Sequence, residues 1–541
     1  MHVDSINLQT KNNLIQDYRT KKTSIMQYFD YDPFESDVFK KRAQDLQHKN
    51  VNREQLADVL HMINTEWDAP SSTIENIRRF REGNTLVVIG GQQAGLLTGP
   101  MYTINKIISI IQLAKQQEKQ LNTPVIPVFW IAGEDHDFDE INHIFLQDKS
   151  KMNKFTLLQR VIEKEAISNI SIHKEKANEW LKSLFLELDE TLHTKELYET
   201  LATFLSKSDT YVDFFAQVVF WLFEEEGLVL VDSNNSQIRE LESIHFTELI
   251  YNQAKTTGAI EKSLKEVEDL GYSLSVEVNR NDANLFYQNG SERILLVRDN
   301  DNNWVGKNRE VKFSTEELVF IAENQPYLLS NNVMTRPLMQ EMLFPSLAFI
   351  GGPGEISYWS VLKGAFHANN MKMPPVIPRL SYTFLEPNIE KLISKYNVSV
   401  EKTINVGVTE TKCKWLDEQQ NPPVNQLANK LKQTIEQEHR PIRDLAKSIR
   451  ADVGGVADKN LDYLMRDIEF LEKRITKTLQ EIYARELDEF NLLQTALHPN
   501  GGLQERMWNP LPFINQYSKR FITNLVNEPC SYENEHYIVY L

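Results

Sequence analysis

Cysteine is scarce in this sequence, which holds only Cys413 and Cys530 among 541 residues. The two lie far apart, without the spacing of a metal site, and neither has a neighbouring base that would make it a catalytic thiol. Long apolar runs are also missing, since none approaches the roughly 18 residues of a membrane span. The first residues lack the basic and apolar regions of a secretory signal. We therefore expect a protein of the reducing cytoplasm.

Positive charge is in deficit, with a formal net charge of -17 at pH 7. Binding to a nucleic-acid backbone requires a basic surface, so neither DNA nor RNA is expected as the main partner. The remaining composition, 41% hydrophobic and 25% charged, is that of a globular protein. A chain of 541 residues exceeds one hydrophobic core, so we expect two or three domains.

Four of the 20 glycines fall between residues 90 and 99, directly after a β-branched run from Thr85 to Ile89. The run predicts a buried parallel strand, and the apolar spacing after Pro100 predicts a helix. Together they predict a glycine-rich turn that presents backbone N–H groups to an anion. The turn matches neither the Walker loop nor G-x-G-x-x-G, and a purely structural turn is the alternative. Candidate donors to a phosphate or carboxylate are Gln92, Gln93 and Thr98.

Further buried strands are predicted at 125–132, 228–232, 346–350 and 375–380, with helices between them. Strands that alternate with helices predict an α/β fold with a doubly wound parallel sheet. A polar, helix-prone region at about 150–209 and β-hairpins at 272–313 are expected as insertions. Residues 1–80 are expected to be mostly helical, and 536–540 to form a last strand.

Beyond Pro387 the sequence becomes charged and nearly free of glycine. Apolar residues three and four apart predict long helices at 424–451 and 457–495, in an antiparallel coiled coil that turns near 451–457. The alternative is two helices packed on the main domain, and Pro441 weakens the first helix. The predicted domains are a core at 1–386, a coiled-coil domain at 387–497, and a segment at 498–541 that returns to the core.

The strand at 125–132 is followed by an acidic cluster. In open α/β sheets ligands bind at the C-terminal ends of strands, where this cluster lies. Carboxylates around a histidine suit acid–base catalysis and the binding of an ammonium group. The spacing fits no defined zinc site, so no metal is predicted, and a charged loop with a helix cap is the alternative. The cluster consists of Glu134, Asp135, His136 and Asp137.

Two later motifs supply further candidates. T-R-P-L-M-Q-E at 335–341 contains Arg336, whose guanidinium either binds both oxygens of a ligand carboxylate or forms a structural ion pair. The turn G-G-P-G-E precedes a helix whose candidate residues are Glu355, Tyr358 and Trp359.

Four motifs in order make the whole chain closely resemble the BshC family of bacillithiol synthesis. They are G-Q-Q-A-G-L-L-T-G-P at 91–100, P-V-F-W-I-A-G-E-D-H-D-F at 127–138, T-R-P-L-M-Q-E, and the G-G-P-G-E-I-S-Y-W run. The resemblance implies a ligase that adds L-cysteine to glucosaminyl-malate, the last step of bacillithiol synthesis. It also implies a Rossmann-like core with inserted connecting modules, and a coiled coil that pairs two subunits.

The core of that family is similar to class I aminoacyl-tRNA synthetases, which implies that ATP activates the cysteine carboxylate. Neither the His-x-Gly-His signature nor the Lys-Met-Ser-Lys-Ser loop of those enzymes is evident here. The segment L-Q-E-R-M-W-N-P-L at 503–511 lines a pocket or packs at a domain junction. The residues assigned to ATP or ADP are Gly91, Gly95, Gly99, Arg506, Trp508 and Asn509.

On this interpretation Asp135, His136 and Asp137 orient the substrate amine or move its proton, and Arg336 neutralises a substrate carboxylate. The other predicted substrate contacts are Gln92, Gln93, Thr98, Glu134, Glu355, Tyr358 and Trp359. Two alternative functions remain. A nucleotidyltransferase of the class I synthetase type would not depend on an amino acid, and a non-catalytic nucleotide-binding coiled-coil adaptor would have no substrate-sized cleft.

Overall fold

The computed structural model describes residues 2–9, 12–148, 151–161, 165–290, 292–420 and 422–541. The chain forms two compact units. Unit 1 comprises Met1–Leu146, Lys154–Phe384 and Glu505–Leu541, and unit 2 comprises Gln147–Asn153 and Leu385–Gln504. Among the described residues, no helix combines the length and the apolar character needed to cross a membrane.

The strands are short and are distributed over the whole chain. In chain order they are β1 (His2–Ile6), β2 (Leu86–Gln92), β3 (Val125–Ile131), β4 (His143–Asp148), β5 (Lys151–Thr156), β6 (Val229–Asp232), β7 (Asp282–Asn289), β8 (Glu292–Arg298), β9 (Trp304–Gly306), β10 (Lys312–Phe313), β11 (Leu329–Asn331), β12 (Ser346–Gly351), β13 (Val376–Pro378), β14 (Tyr382–Leu385) and β15 (His536–Tyr540).

The helices of the first half of the chain include one of 34 residues, α11. In chain order they are α1 (Asn13–Arg19), α2 (Thr23–Met26), α3 (Val38–Leu46), α4 (Arg53–Glu66), α5 (Ser71–Phe80), α6 (Tyr102–Leu121), α7 (Phe138–Ile141), α8 (Lys174–Leu186), α9 (Thr194–Lys207), α10 (Tyr211–Leu222) and α11 (Ser236–Asp269).

The remaining helices belong to both units. They are α12 (Thr315–Asn324), α13 (Arg336–Leu343), α14 (Pro353–Trp359), α15 (Lys363–Ala368), α16 (Pro387–Tyr396), α17 (Val400–Val406), α18 (Thr409–Glu418), α19 (Val424–Ile449), α20 (Ala451–Ile482), α21 (Ala484–Leu497), α22 (Leu511–Tyr517) and α23 (Arg520–Asn527).

A parallel sheet of five strands, in the order β13–β12–β2–β3–β6, forms the centre of unit 1. Its strands are nearly continuous apolar runs because both faces of the sheet are covered. Strand β3 buries every one of its residues, and α6 packs against β2 and β3. The predicted α/β fold with a parallel sheet is confirmed.

The order of the strands reverses beside β2. From β2 the chain passes through α6 to β3 and later to β6 on one side, and it then adds β12 and β13 on the other side. The segments that follow β2 and β12 therefore diverge from neighbouring strand ends. A crevice at such a reversal is where ligands of open parallel sheets bind.

A second sheet of unit 1 is antiparallel, in the order β10–β9–β8–β7–β11. Strands β7 to β10 are the hairpins predicted within 272–313. Strand β11 follows them in the chain and leads into α13, whose first residue is Arg336. The antiparallel sheet, called the inserted sheet below, therefore adjoins a helix that carries a candidate site residue.

The two ends of the chain meet in a third sheet, β1–β15–β14, where β1 and β15 are antiparallel. Strand β15 is the predicted last strand, whereas β1 lies in a region expected to be mostly helical. Its sequence, HVDSI, is too short and too polar to stand out, and the strand forms because β15 supplies backbone partners.

His536 of β15 provides a test of how pH affects stability. The imidazole is buried between the hydroxyls of Ser381 and Thr383, at 2.8 Å and 2.7 Å, and burial lowers its pKa to about 4. In the unfolded chain the histidine has a pKa near 6.5 and is protonated below that pH. In the folded chain it stays neutral down to about pH 4, so protonation favours the unfolded chain between these values. The stabilisation is therefore complete above pH 6.5 and is lost between pH 6.5 and pH 4.

We expect the contribution of His536 to the free energy of unfolding of the wild-type protein to fall by about 2 kcal/mol between pH 7 and pH 5. His536→Gln does not titrate in this range, so the stability gap between the two proteins should shrink by that amount. Urea denaturation at both pH values measures the gap. A gap that stays constant would show that His536 is not held neutral by the fold.

Unit 2 is helical and contains the predicted antiparallel hairpin, formed by α19 and α20. Lys432 and Glu472 join the two helices by an ion pair of 2.8 Å. The predicted position of the turn was wrong: the break is at Arg450, and 451–457 are already helical. Gly454 lies against Lys447, where a Cβ atom would be 2.6 Å from Cγ of the lysine, so a glycine is needed for the tight turn. Pro441 is accommodated inside α19.

Candidate active site

A pocket of about 370 Å³ lies in unit 1 at the reversal of strand order. Its walls come from the segments after β2, β3 and β12, from the start of α13, and from two positions late in the sequence, Arg379 and Arg506. The volume is within the range of sites for small molecules, about 300–1,000 Å³. Several of the predicted residues therefore meet at one place.

Lys106 of α6 lines the pocket and was not predicted. Its side chain is 1% exposed, and its Nζ donates to the carbonyl of Gly91 at 2.6 Å, to Oε1 of Gln92 at 3.1 Å and to Oε2 of Glu355 at 2.5 Å. Burial lowers the pKa of the ammonium, although Glu355 favours the charged form. Lys106 thus ties the end of β2 to the first turn of α14.

Replacing Lys106 with methionine should separate these two rims, because Glu355 and the Gly91 carbonyl lose their common donor. We expect the catalytic efficiency, kcat/KM, to fall by about 10-fold to 100-fold, as for a lost buried hydrogen-bond partner. Lys115→Met is the matched control, since Lys115 lies on the same helix, is half-exposed and pairs with Glu226 outside the pocket. Equal losses in the two variants would contradict this role for Lys106.

Arg379 and Glu505 were not assigned to the site from the sequence. The guanidinium of Arg379 lines the pocket and donates two hydrogen bonds of 2.6 Å to the two carboxylate oxygens of Glu505. Asn105 of α6 donates to the same carboxylate at 2.7 Å. Glu505 is only 2% exposed, so its charge is fully engaged inside the protein.

Glu134 is the centre of a buried ionic cluster and not a substrate contact, which corrects the prediction. It is 1% exposed, and its two oxygens accept from Arg239 and from Nε of Arg336, the latter at 2.7 Å. Burial alone would raise the pKa of Glu134, but the charges of the two arginines outweigh it and lower the pKa to about 2. Arg239 also pairs with the buried Glu242 at 2.7 Å.

Arg336 is likewise occupied within the protein. Besides Glu134, it donates from Nη2 to Oδ1 of Asp135 at 2.6 Å. The alternative of a structural ion pair is therefore correct for its principal contacts, although the side chain also lines the pocket. Asp135 lines the pocket with a partly exposed carboxylate, and its Oδ1 is the oxygen that the arginine holds.

His136 and Asp137 are not brought into the pocket. Asp137 is exposed, and His136 is partly buried with no hydrogen-bond partner at Nδ1. The chain turns away after Asp135, because the backbone N–H of Phe138 bonds to the carbonyl of His136 and α7 begins. The structure therefore gives neither residue the position predicted for catalysis.

Residues 95–99, the second half of the predicted glycine-rich turn at 90–99, form a buried structural turn, whereas Gly91, Gln92 and Gln93 of the first half line the pocket. Thr98 is fully buried, and a Cβ on Gly95 would lie 2.8 Å from Cα of Gly99. Asn509 closes the turn by donating to the carbonyls of Leu97 at 3.0 Å and Gly99 at 2.7 Å.

Trp508 adjoins this closed turn. Its carbonyl accepts from the backbone N–H of Met101, just before α6, and its ring packs on Phe513 with centroids 5.2 Å apart. It is 3% exposed and is not part of the pocket wall. Of the residues assigned to a nucleotide, only Gly91 and Arg506 line the pocket.

Asn509→Ala should act on stability, because it leaves the carbonyls of Leu97 and Gly99 without side-chain donors. We expect the free energy of unfolding to fall by about 1–3 kcal/mol, the range for buried groups left unpaired. Asn524→Ala, on the exposed side of α23, is the control and should change it by less than about 0.5 kcal/mol. Urea denaturation measures both, and an unchanged stability in Asn509→Ala would contradict this structural role for Asn509.

The segment after β12 brings two of its three predicted site residues, Glu355 and Tyr358, to the pocket wall. The backbone N–H of Gly352 donates to Glu355 at 2.7 Å, which starts α14, and Glu355 and Tyr358 both line the pocket. Burial raises the pKa of Tyr358, so its hydroxyl is a hydrogen-bond donor at neutral pH. Trp359 is instead a core residue, stacked on Phe349 at 4.2 Å, which corrects its assignment.

The polar side chains of the wall that are available for a ligand include those of Gln92, Gln93 and Arg506. Gln92 uses its carbonyl oxygen for Lys106, which leaves its amide N–H groups, and Gln93 lines the wall beside it. Arg506 is exposed and forms no ion pair among the residues that the structure describes. Within the same part of the chain, no three side chains of His, Cys, Asp or Glu are grouped as for a metal ion.

The wall therefore contains an exposed cation, Arg506, two carboxylates that are at least partly exposed, Asp135 and Glu140, and the amide and phenol groups of Gln92, Gln93 and Tyr358. Arg506 suits a ligand carboxylate or phosphate, and Asp135 suits an amine or a proton that leaves it. Of the other charges of the wall, Lys106 pairs with Glu355, Arg379 with Glu505, and Arg336 with Glu134 and Asp135.

Two family models together match nearly the whole chain. The model described as "Bacillithiol biosynthesis BshC, N-terminal Rossmann-like domain" matches residues 1–380, and "Bacillithiol biosynthesis BshC, C-terminal coiled-coil domain" matches residues 382–541.

Similar full-length proteins bear the name "Putative cysteine ligase BshC". The protein from Oceanobacillus iheyensis is 41% identical over 545 residues, with 100% of both chains covered. That from Bacillus licheniformis is 37% identical over 541 residues, again with 100% coverage of both, and that from Bacillus cereus strain AH187 is 37% identical over 528 residues, with 98% coverage of each. The chain belongs to the BshC family of bacillithiol biosynthesis.

Proposed function

We propose that the chain is a ligase that joins L-cysteine to glucosaminyl-malate through an amide bond, which yields bacillithiol. Membership of the BshC family and the cysteine-ligase name of its relatives support this proposal. The observation that carries it is the pocket at the strand reversal, where a free arginine and a partly exposed carboxylate face one small-molecule cavity. Such a pair suits a substrate with both carboxylates and an amine.

In the proposed arrangement Arg506 binds a carboxylate of the malyl group, and Asp135 receives the amine of the glucosamine ring. The amine must lose a proton before its nitrogen attacks the carboxyl carbon of cysteine. Asp135 is placed to orient the ammonium and to accept that proton, as general-base catalysis requires. Arg336 keeps one oxygen of Asp135 fixed, which leaves the other for the substrate.

Amide formation from a free carboxylate is unfavourable in water, so the cysteine carboxyl must be activated. ATP is the activating cosubstrate that we propose, with no step assigned to it. Of the residues expected to bind a nucleotide, Gly95, Gly99, Trp508 and Asn509 are engaged in a buried turn and do not fit that role.

Purified full-length protein incubated with glucosaminyl-malate and cysteine, with and without ATP, tests the proposal. Mass spectrometry should detect the condensed thiol, together with AMP or ADP in the sample that received ATP. Product without ATP would remove nucleotide activation. Nucleotide turnover that does not depend on cysteine would favour the nucleotidyltransferase, and complete inactivity would favour the adaptor, although the adaptor predicts no cleft of this size.

Pairing of two copies through the hairpin of unit 2 is the second part of the proposal. Apolar side chains on α19 and α20 are exposed in the single chain, including Leu431, Ile442, Leu445, Phe470 and Leu471. Burying such a stripe against a second copy is the usual reason for it. Sedimentation equilibrium of the full chain should give twice the mass of 62.9 kDa.

A further inference from the structure

Arg293 of β8 belongs to the inserted sheet, yet its charged end reaches the site. It is 8% exposed and does not line the pocket. Its Nη1 lies 3.6 Å from Oδ1 of Asp135, the same oxygen that Arg336 holds. The guanidinium is therefore placed behind the carboxylate and out of reach of a ligand.

The inserted sheet fixes this guanidinium on several sides. Nε of Arg293 donates to the hydroxyl of Ser330 at 2.9 Å, and Nη2 donates to the carbonyl of Asn331 at 2.6 Å. Its Cζ lies 3.8 Å from the ring centroid of Phe286, in a cation–π contact. Three strands, β7, β8 and β11, thus hold one side chain in a single orientation.

Burying the charged guanidinium of Arg293 costs free energy unless nearby carboxylates compensate it. Burial lowers the pKa of Arg293 to about 10, although Glu134 and Asp135 favour its charged form. Glu134 already has two arginine partners, so Arg293 is not needed to neutralise it. The carboxylate within ion-pair distance of Arg293 is that of Asp135, at 3.6 Å, and it is the partly exposed one.

The same sheet also holds the second arginine that contacts Asp135. The hydroxyl of Thr335, directly before Arg336, donates to the carbonyl of Asn284 in β7 at 2.6 Å. Asn332 donates from its side chain to Oδ1 of Asn284 at 2.9 Å. Both cations around Asp135 therefore take their positions from the inserted sheet.

We propose that Arg293 is a positioning residue that orients the Asp135 carboxylate, and that the inserted sheet exists in part to present it. The inference rests on the proposed function, since it gives Asp135 a role in the reaction. Arg293 itself touches no substrate. Its effect passes through one oxygen of Asp135, which it shares with Arg336.

Replacing Arg293 with methionine removes the charge and the hydrogen-bond donors of the guanidinium but keeps an apolar side chain over Phe286. A misplaced catalytic group can cost about 100-fold in rate, so kcat should fall by about 10-fold to 100-fold while KM stays within about 2-fold. Arg293→Lys should recover part of this loss. Arg298→Met is the matched control, because Arg298 lies on the same strand and stacks on Trp304 at 4.4 Å, away from the pocket.

The decisive measurement is a double-mutant cycle with Asp135→Asn. If Arg293 acts through Asp135, Arg293→Met causes no further loss of kcat in the Asp135→Asn protein. A loss of the same factor in both backgrounds would overturn the proposal, since the arginine would then act independently of the carboxylate.

A second cycle on the same four proteins uses urea unfolding and needs no substrate. Coupling between the two positions supports the contact, and strict additivity overturns it. If wild-type protein forms no product under any condition, the proposed function fails, and the unfolding cycle alone still decides whether Arg293 and Asp135 act together. The two failures are therefore distinguishable.

Discussion

Replacing Asp135 with asparagine is expected to lower the rate of product formation by about 100-fold to 10,000-fold, the contribution of a positioned general base. The physical reason is that asparagine keeps the shape and one hydrogen-bond acceptor for Arg336 but cannot take a proton from an amine. KM for glucosaminyl-malate should change much less, because the proposed contact between Arg506 and the malyl carboxylate is unaffected by this substitution. Initial rates of thiol formation at saturating substrates measure the effect.

Asp139→Asn is the control for this substitution. Asp139 lies in α7, four residues further on, is exposed, and is not part of the pocket wall. Its rate should stay within about 2-fold of wild type, as for a surface change away from a site. A fully active Asp135→Asn protein would remove Asp135 from the mechanism and return the question to the other wall residues.

Replacing Glu134 with glutamine is expected to destabilise the protein by about 3–5 kcal/mol, as for a buried ion pair that loses one partner. Glutamine cannot balance two guanidinium groups, so Arg239 and Arg336 would share the remaining carboxylates, Glu242 and Asp135. Burial and the neighbouring Glu134 charge raise the pKa of Glu242 to about 7, and removing that neighbour should allow Glu242 to ionise more readily. An ionised Glu242 would partly replace the lost negative charge, which limits the destabilisation.

Urea denaturation at pH 7 measures the Glu134→Gln effect. Glu140→Gln is the control, since Glu140 lines the same pocket but is exposed and forms no ion pair with any residue that the structure describes. It should change the free energy of unfolding by less than about 0.5 kcal/mol. A similar small change in Glu134→Gln would mean that the arginines find other partners, and that Glu134 is not the centre of the cluster.

Local sequence was sufficient for the parallel sheet. Strand β3 is a continuous apolar run, and the acidic residues after it had to lie at the ligand edge because strand ends of a parallel sheet share one side. That reasoning placed Asp135 at the pocket. It could not separate Asp135 from Asp137, because a turn of two residues decides which carboxylate points into the cavity.

Two features of the site depend on a partner far away in the chain. The sequence alone cannot show that Arg336 is paired, because its partners Glu134 and Asp135 lie 202 and 201 residues earlier in the chain. Nor can it show that the carbonyls of the turn at 95–99 are bonded, because their donor, Asn509, lies about 400 residues later.

Lys106 was missed for the same reason. It sits among the isoleucines of α6 like a core position, and its carboxylate partner Glu355 is 249 residues away. A lysine inside an otherwise apolar helix face was the available signal, because buried lysines are rare unless they are paired.

The pairing of Arg379 with Glu505 has a consequence for how the protein is made. Every other wall of the pocket is translated before residue 380, but the carboxylate that neutralises Arg379 leaves the ribosome about 125 residues later, with Arg506 beside it. The nascent chain therefore lacks the carboxylate that forms two hydrogen bonds with Arg379 until synthesis is nearly complete. A fragment ending at residue 380, the limit of the first family model, would lack both Glu505 and Arg506, so we expect its pocket wall to be incomplete.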